Sequence, residues 1–259
     1  MLNHIWAALL FIGILVAGLT GHVSGEGSVL DAAAKASEKA IMGIALPLAG
    51  MMIHQDASTH RWVPNAIWDL VVTLDDATSE HTSMFFCAQE GTNSSFHGLG
   101  QTMARYGLFA SLYSDRGSHY FETPAAGGRV SKTALTQVGR ALKRLGIEHI
   151  AAYSPQARGR SERAFSTLQD RLVKELALAR ITTVADANRW LSEVYMPEHN
   201  KRFAVPAEDA GSAFVRDPTG AWRDALCVQE ERVVGNDNTL KWRKATTCFP
   251  NWRANSATG

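Results

Sequence analysis

Cysteine is scarce and scattered in this 259-residue chain. Its three cysteines, Cys87, Cys227 and Cys248, are odd in number and lack CxxC spacing. That argues against a disulfide framework and against a cysteine-based zinc site, and it fits a reducing compartment. An excess of one charge is missing too. The 26 Lys and Arg nearly balance 25 Asp and Glu, so the net charge of +1 says nothing about partners. Charge disappears altogether from Ile5 to Gly21, a seventeen-residue run at the lower limit for crossing a hydrocarbon core of about 30 Å. No Lys or Arg precedes that run and no small-x-small cleavage site follows it, which weighs against a signal peptide. A membrane span and a buried or interfacial helix both stay open. A second apolar run, Ala40 to Ile53, contains Pro47 and is too short to span alone.

Hydrophobic residues make up 46% of the chain, ample for a core. The charges present are unevenly placed. From Arg129 to Arg180 eleven Lys and Arg face four Asp and Glu, a local excess of seven. Such a cluster fits either a nucleic-acid face or the solvated side of long helices.

From Gly50 onward, short β-type runs alternate with helical ones. Met51 to Asp56 reads as a strand ending in an acid, Trp68 to Asp75 as a second, and Ser83 to Ala88 as a third, an antiparallel meander. Gly91 to Tyr106 is expected to be helical, although Gly98 and Gly100 weaken the signal. Leu108 to Tyr113 predicts a fourth strand that delivers Asp115 at its end. A helix over Thr136 to Leu145 and a fifth strand over Glu148 to Ala152 follow. Phe165, Leu168, Leu172, Leu176 and Ala179 then recur at helical spacing, with Glu162 in the first turn among Arg158, Arg160 and Arg163. A last helix is expected from Val184 to Val194. The order predicts an α/β fold with a mixed five-stranded sheet and flanking helices.

Asp56 and Asp115 fall at expected strand ends and Glu162 at a helix start, 59 and 47 residues apart. Side chains at adjacent strand ends converge where open α/β sheets bind ligands. Three converging carboxylates repel one another unless a cation neutralises them, and hard oxygen donors select Mg²⁺ or Mn²⁺. Spacing alone does not select these three from 25 acids. Asp75 and Asp76 read as an ordinary turn after a strand. His54, His60 and His119 read as local hydrogen-bonding residues near the acids, and Trp62 and Tyr153 as packing residues.

Four motifs carry a resemblance: His54-Gln55-Asp56-Ala57-Ser58-Thr59-His60-Arg61-Trp62-Val63, Thr73-Leu74-Asp75-Asp76-Ala77-Thr78-Ser79-Glu80-His81, Leu112-Tyr113-Ser114-Asp115-Arg116-Gly117-Ser118-His119-Tyr120, and Tyr153-Ser154-Pro155-Gln156-Ala157-Arg158-Gly159-Arg160-Ser161-Glu162-Arg163. With them, residues 50–215 resemble the integrase-type (DDE, retroviral-integrase-like) catalytic core of bacterial insertion-sequence transposases. The resemblance implies an RNase H-like fold, DNA strand cleavage and strand transfer, and a catalytic, metal-binding triad of Asp56, Asp115 and Glu162 holding two Mg²⁺ or Mn²⁺ ions. It also implies DNA as partner, both transposon ends and target, with a homo-oligomer as the active form and a cytoplasmic, nucleoid-associated location. Arg158, Arg160, Arg163, Arg171, Lys174 and His119 are the expected DNA contacts.

Residues Met1-Leu2-Asn3-His4-Ile5-Trp6, Asp31-Ala32-Ala33 and Met42 to Met52 resemble instead the start of spore-maturation membrane proteins of the nucleoside-recognition family. The expected organisation is therefore an apolar segment over 1–49, with possible membrane contact through residues 5–21, and a catalytic core over 50–200. A linker over 201–228 and a truncated C-terminal β-barrel remnant over 229–259 complete it. The remnant is expected to hold a first hairpin within Glu231 to Leu240, with no completing strands from Ala245 onward. A non-catalytic DNA-binding remnant and a membrane-associated protein governed by the first fifty residues are the rival functions.

Overall fold

The computed structural model describes residues 46–124, 128–131, 133–153, 155–234, 239–242 and 245–248. The apolar run at residues 5–21 lies outside the described residues. Among the described residues, no helix is long and apolar enough to cross a membrane. The chain divides after Cys227 into two compact units.

The first unit begins with a three-stranded antiparallel meander: β1 (Met52–Val63), β2 (Ala66–Asp75) and β3 (His81–Cys87). Helix α1 (Thr92–Tyr106) crosses to β4 (Ser111–Ser114), and α2 (Gln137–Arg144) crosses to β5 (Glu148–Ala151). Both short strands run parallel to β1, giving the order β3-β2-β1-β4-β5. This is the mixed five-stranded RNase H-like sheet expected from the sequence. Helix α3 (Pro155–Leu178) and α4 (Val184–Trp190) follow. The chain stays helical beyond the expected stop at Val194, through a π turn (Leu191–Tyr195) into α5 (Met196–Phe203). Pro197 supplies a reason for the π turn: it has no N–H to give the carbonyl four residues back, so the ladder must widen there.

The meander is buried on both faces, so β2 reads as a continuous apolar run rather than an alternating one. On one face Leu70, Val72 and Phe86 meet Leu168, Leu172 and Leu176 of α3 and Leu191 of the π turn. On the other, Ile53 and Leu112 meet Phe96 and Leu99 of α1 and Val138 and Leu142 of α2. Trp62 is fully buried and donates its Nε1–H to the Trp68 carbonyl at 2.9 Å, as its packing role predicts.

Strand β3 is an outer strand, and two asparagine side chains occupy its open edge. Asn188 accepts from the Phe86 N–H (2.6 Å) and donates to the Phe86 carbonyl (2.9 Å). Asn200 does the same for His81 at 2.9 and 2.8 Å. A primary amide copies the donor–acceptor pair of a neighbouring strand, so the helices cap the edge without adding a strand.

Residues 204–227, expected as an extended linker, run back over this unit. Val215 and Leu108 exchange both backbone hydrogen bonds at 2.8 Å, and Phe214, Trp222 and Leu226 pack beside the α1–α2 core. Gly107 makes this possible. Its φ is +104°, and a Cβ there would lie 2.4 Å from the Val215 carbonyl oxygen. A short helix, α6 (Trp222–Ala225), closes the unit.

In the second unit, β6 (Thr239–Trp242) pairs antiparallel with β7 (Ala245–Cys248). The hairpin expected within Glu231 to Leu240 lies partly outside the described residues, whereas Ala245, from which no further strand was expected, begins one. The tetrapeptide Ala-Thr-Thr-Cys is too short to show alternation, yet its two threonines are good strand formers.

Candidate active site

Two sequence expectations about the acids need correcting. Asp56 does not end a strand: β1 continues seven residues further, because its antiparallel pairing with β2 runs on to Val63↔Ala66. What ends near Asp56 is the parallel ladder with β4, whose last pair is Gln55↔Ser114. Asp56 and Asp115 are each the next residue beyond that pair. They therefore stand side by side on neighbouring strands, whose axes lie about 4.8 Å apart. Glu162 is not in the first turn of its helix either. Pro155, with φ pre-set for a helical start, opens α3 and puts Glu162 eighth in the helix. The side chains of residues 155–164, and so those of Glu162, Arg158, Arg160 and Arg163, lie outside the described ones.

Asp56 and Asp115 line one cleft, with His54, Gln55, Tyr113, Ser114 and Ala152. Ala152 directly follows the Ser114↔Ala151 pair that ends the β4–β5 ladder. The cleft is thus built where three parallel strands stop pairing, at the point where the connections depart in opposite directions, as ligand sites in open α/β sheets are. Both carboxylates are partly buried and anchored by local amides. Asp56 Oδ1 accepts from the Ala57 N–H, and Asp115 Oδ1 from the Gly117 N–H, each at 2.9 Å. Among the described residues no group of three His, Cys, Asp or Glu could hold a metal ion. The described part of the site supplies two hard oxygen donors, the kind of donor that Mg²⁺ and Mn²⁺ accept.

The surrounding groups are structural. Asp75 accepts from the Gly50 N–H (2.6 Å) and from the N–H and hydroxyl of Thr78 (2.9 and 3.0 Å). Burial pushes its carboxyl above the usual range, against those hydrogen bonds. Asp76 holds the Leu46 N–H (2.8 Å) and His54 Nε2 (2.9 Å), so His54 is a local hydrogen-bonding residue as expected. His149 stacks on Phe121 at 3.9 Å and bonds Ser114 Oγ at 3.0 Å. Burial, then the neighbouring His119, lower its pKa to about 3, so it is neutral at physiological pH.

The expected DNA contacts divide. Lys174 is exposed and paired with Asp170 at 2.6 Å, within its own helix. Arg171 is half-buried, with its guanidinium over the Phe203 ring at 5.3 Å. His119 Nε2 stands 3.4 Å from Glu90 Oε1, in contact range without hydrogen-bond geometry. At the rim, Tyr153 is exposed rather than packed in the core. Arg116 covers its ring at 5.1 Å, and its hydroxyl accepts from the Val130 N–H at 3.1 Å.

Sequence reading missed Tyr120 and Gln55. Both are buried, and the Tyr120 hydroxyl donates to Gln55 Oε1 at 2.9 Å. Burial holds the phenol well above its usual pKa, and the carboxylates of Glu90, Asp56 and Asp115 push the same way. The signal available was two polar residues in otherwise apolar surroundings, each within five positions of an acid.

An RNase H-like sheet with two acids side by side at the end of a parallel ladder sets the fold and leaves the activity open. Comparisons of sequence narrow it. No protein-family model matches the chain. It is 35% identical over 202 residues to y4bF of Sinorhizobium fredii, a protein assigned as a transposase, covering 75% of this chain and 43% of that one. It is 30% identical over 196 residues to the transposase for insertion sequence IS1202 of Streptococcus pneumoniae, covering 75% and 42%. This chain therefore carries an integrase-type transposase core, and it spans less than half the length of these curated relatives. Solved structures it resembles include the HTLV-2 integrase catalytic core domain in complex with magnesium, at TM-score 0.43, 14% identity and 56% and 85% coverage. The BIV integrase catalytic core domain matches at TM-score 0.39, 20% identity and 58% and 97% coverage.

Proposed function

We propose that this core cleaves and joins DNA strands, with Asp56, Asp115 and Glu162 as the ligands of two divalent cations, Mg²⁺ or Mn²⁺. The observation that supports it most is the placement of Asp56 and Asp115 one step beyond the last β1–β4 pair, in one cleft. Bound there, two divalent cations would supply an activated hydroxyl and stabilise the leaving oxygen. The protein's own part is to hold the carboxylates. The Ala57 and Gly117 amides each anchor one oxygen of these carboxylates. Helix position supports Glu162 as the third ligand. It lies two turns before Gln169, whose amide donates to Ser58 Oγ at 2.8 Å, two residues beyond Asp56 on β1.

Arg158, Arg160 and Arg163, in the first turns of α3, are suited to phosphates flanking the scissile bond. His119 and exposed Lys174 add to that face, whereas Arg171 is engaged with Phe203. In this reading transposon ends and target DNA are the partners, a homo-oligomer assembles on them, and the site of action is the cytoplasmic nucleoid.

The test is nicking and strand transfer by the full chain on a labelled duplex with Mn²⁺. Asp115→Asn should reduce both to background while leaving salt-dependent DNA binding in place, and EDTA should abolish wild-type turnover. Equal activity in Asp115→Asn would sink the assignment. DNA binding with no metal-dependent cleavage in the wild type would select the non-catalytic alternative.

A further inference from the structure

We propose that the Tyr120–Gln55 hydrogen bond is a positioning device that sets the spacing of Asp56 and Asp115 for metal binding. The proposal rests on reading those two acids as metal ligands. It starts from a gap in the restraints. The β1–β4 ladder ends at Gln55↔Ser114, so it does not fix Asp115 against Asp56. Their charges repel, so ties beyond the ladder bear on their spacing; one, from Ser114 Oγ to the Asp115 carbonyl at 3.1 Å, is local to the end of β4.

The second tie runs beneath the cleft. The Tyr120 hydroxyl donates to Gln55 Oε1 at 2.9 Å, with each side chain 1% exposed. Gln55 is the neighbour of Asp56. Tyr120 is bound in turn to the loop that carries Asp115, because its N–H donates to the Gly117 carbonyl (2.9 Å) while the Gly117 N–H holds Asp115 Oδ1. The path Asp56–Gln55–Tyr120–Gly117–Asp115 runs through one pair of covalent neighbours and three hydrogen bonds, of which the Tyr120–Gln55 bond is buried.

Both ends of the tie are themselves immobilised. The Thr136 hydroxyl, whose oxygen also caps α2, donates to the Tyr120 carbonyl at 2.9 Å. Gln55 Nε2 donates to Thr73 Oγ1 (3.0 Å) and to the Ser95 carbonyl (3.3 Å), so its amide uses both donors and its acceptor. Gly98 makes room for it, since a Cβ there would lie 2.6 Å from Gln55 Nε2. Helix α1 carries a glycine in its interior, at a cost in helix propensity, where the amide must enter. A buried amide with both donors and its acceptor engaged is held rigidly, and rigidity is what two repelling ligands require.

Full-length wild type, Tyr120→Phe, Gln55→Leu, the double variant and Asp115→Asn would be titrated with Mn²⁺, following the EPR signal of the free ion, with a thermal melt of each. Tyr120→Phe keeps the ring and removes only the hydroxyl. It should weaken Mn²⁺ binding about tenfold, the lower range for losing an outer partner of a metal ligand. Gln55→Leu should do the same, and the double variant should be no weaker than either single change, because one link is lost in all three. The double variant also puts apolar groups at both ends, which keeps it folded should a single variant unfold. Wild-type Mn²⁺ affinity in Tyr120→Phe or in the double variant, whatever its melting temperature, overturns the positioning role alone. Wild-type affinity in Asp115→Asn overturns the metal reading and the proposal with it.

Discussion

His81 offers a sharp test of the packing between β3 and the helices that cap its edge. Its ring is 3% exposed, lies 4.5 Å from the ring of His199, and among the described residues has no hydrogen-bond partner on either nitrogen. Burial, then the neighbouring His199, lower its pKa to about 3, with Asn200 opposing, from 6.5 in an unfolded chain. The unfolded state therefore takes up a proton near pH 6.5 that the folded state refuses until about pH 3. Stability from this residue is fully present above pH 6.5 and is lost as pH falls toward 3. Between pH 7 and pH 5 the loss works out at about 2 kcal/mol. His81→Phe preserves an aromatic ring against His199 and forfeits no hydrogen bond, so it should be close to neutral at pH 7. Urea unfolding followed by tryptophan fluorescence at pH 7, 6 and 5 measures both effects. The variant should lose about 2 kcal/mol less than the wild type over that range. Parallel pH profiles, differing by under about 0.5 kcal/mol at pH 5 after alignment at pH 7, would refute the assignment of a neutral buried His81.

The same capped edge predicts that Asn188→Ala, which strips partners from the Phe86 N–H and carbonyl, costs about 2 kcal/mol. That should appear as a melting temperature lower by roughly 4–8 °C, with faster aggregation on heating as the β3 edge opens. Leu172→Ala, at a fully buried position of α3, should cost about 3 kcal/mol in a urea titration with little change in slope. A loss under about 1 kcal/mol there would mean that α3 does not pack on the meander as described.

Strand and helix periodicity made most of the sheet legible, because Trp68 to Asp75 and Phe165 to Leu176 carry unambiguous apolar patterns. What sequence reading misplaced was where elements stop. The extent of β1 beyond Asp56 depends on pairing with β2 across the Pro64-Asn65 turn, and the polar run Ala57 to Arg61 hides a strand that is only half buried. The start of α3 lies earlier than expected because the apolar repeat begins only at Phe165, whereas Pro155 at its first position marks the helix. At the site, the motifs single out Asp56 and Asp115, and the structure brings both to one cleft. Gln55 and Tyr120 were not legible, because what links them is a contact 65 positions apart in the chain that carries no periodic signal.

The placement of the acids follows from a division of labour within β1. Ile53, His54 and Gln55 pair with both neighbours, β2 antiparallel and β4 parallel, and from Asp56 onward β1 pairs with β2 alone. Backbone held on both sides fixes the direction of a strand, and backbone released on one side opens room for a ligand. Asp56 stands at that transition. It keeps the rigidity of an interior strand while the side toward β4 is open, and Asp115 is the corresponding residue on the strand that has just ended. Moving the acid one residue earlier would turn its side chain to the opposite face of the sheet, where Gln55 meets α1. Moving it two residues later would keep the face but leave β4 behind, separating the carboxylates by about 7 Å more along the strand. Only position 56 satisfies both requirements.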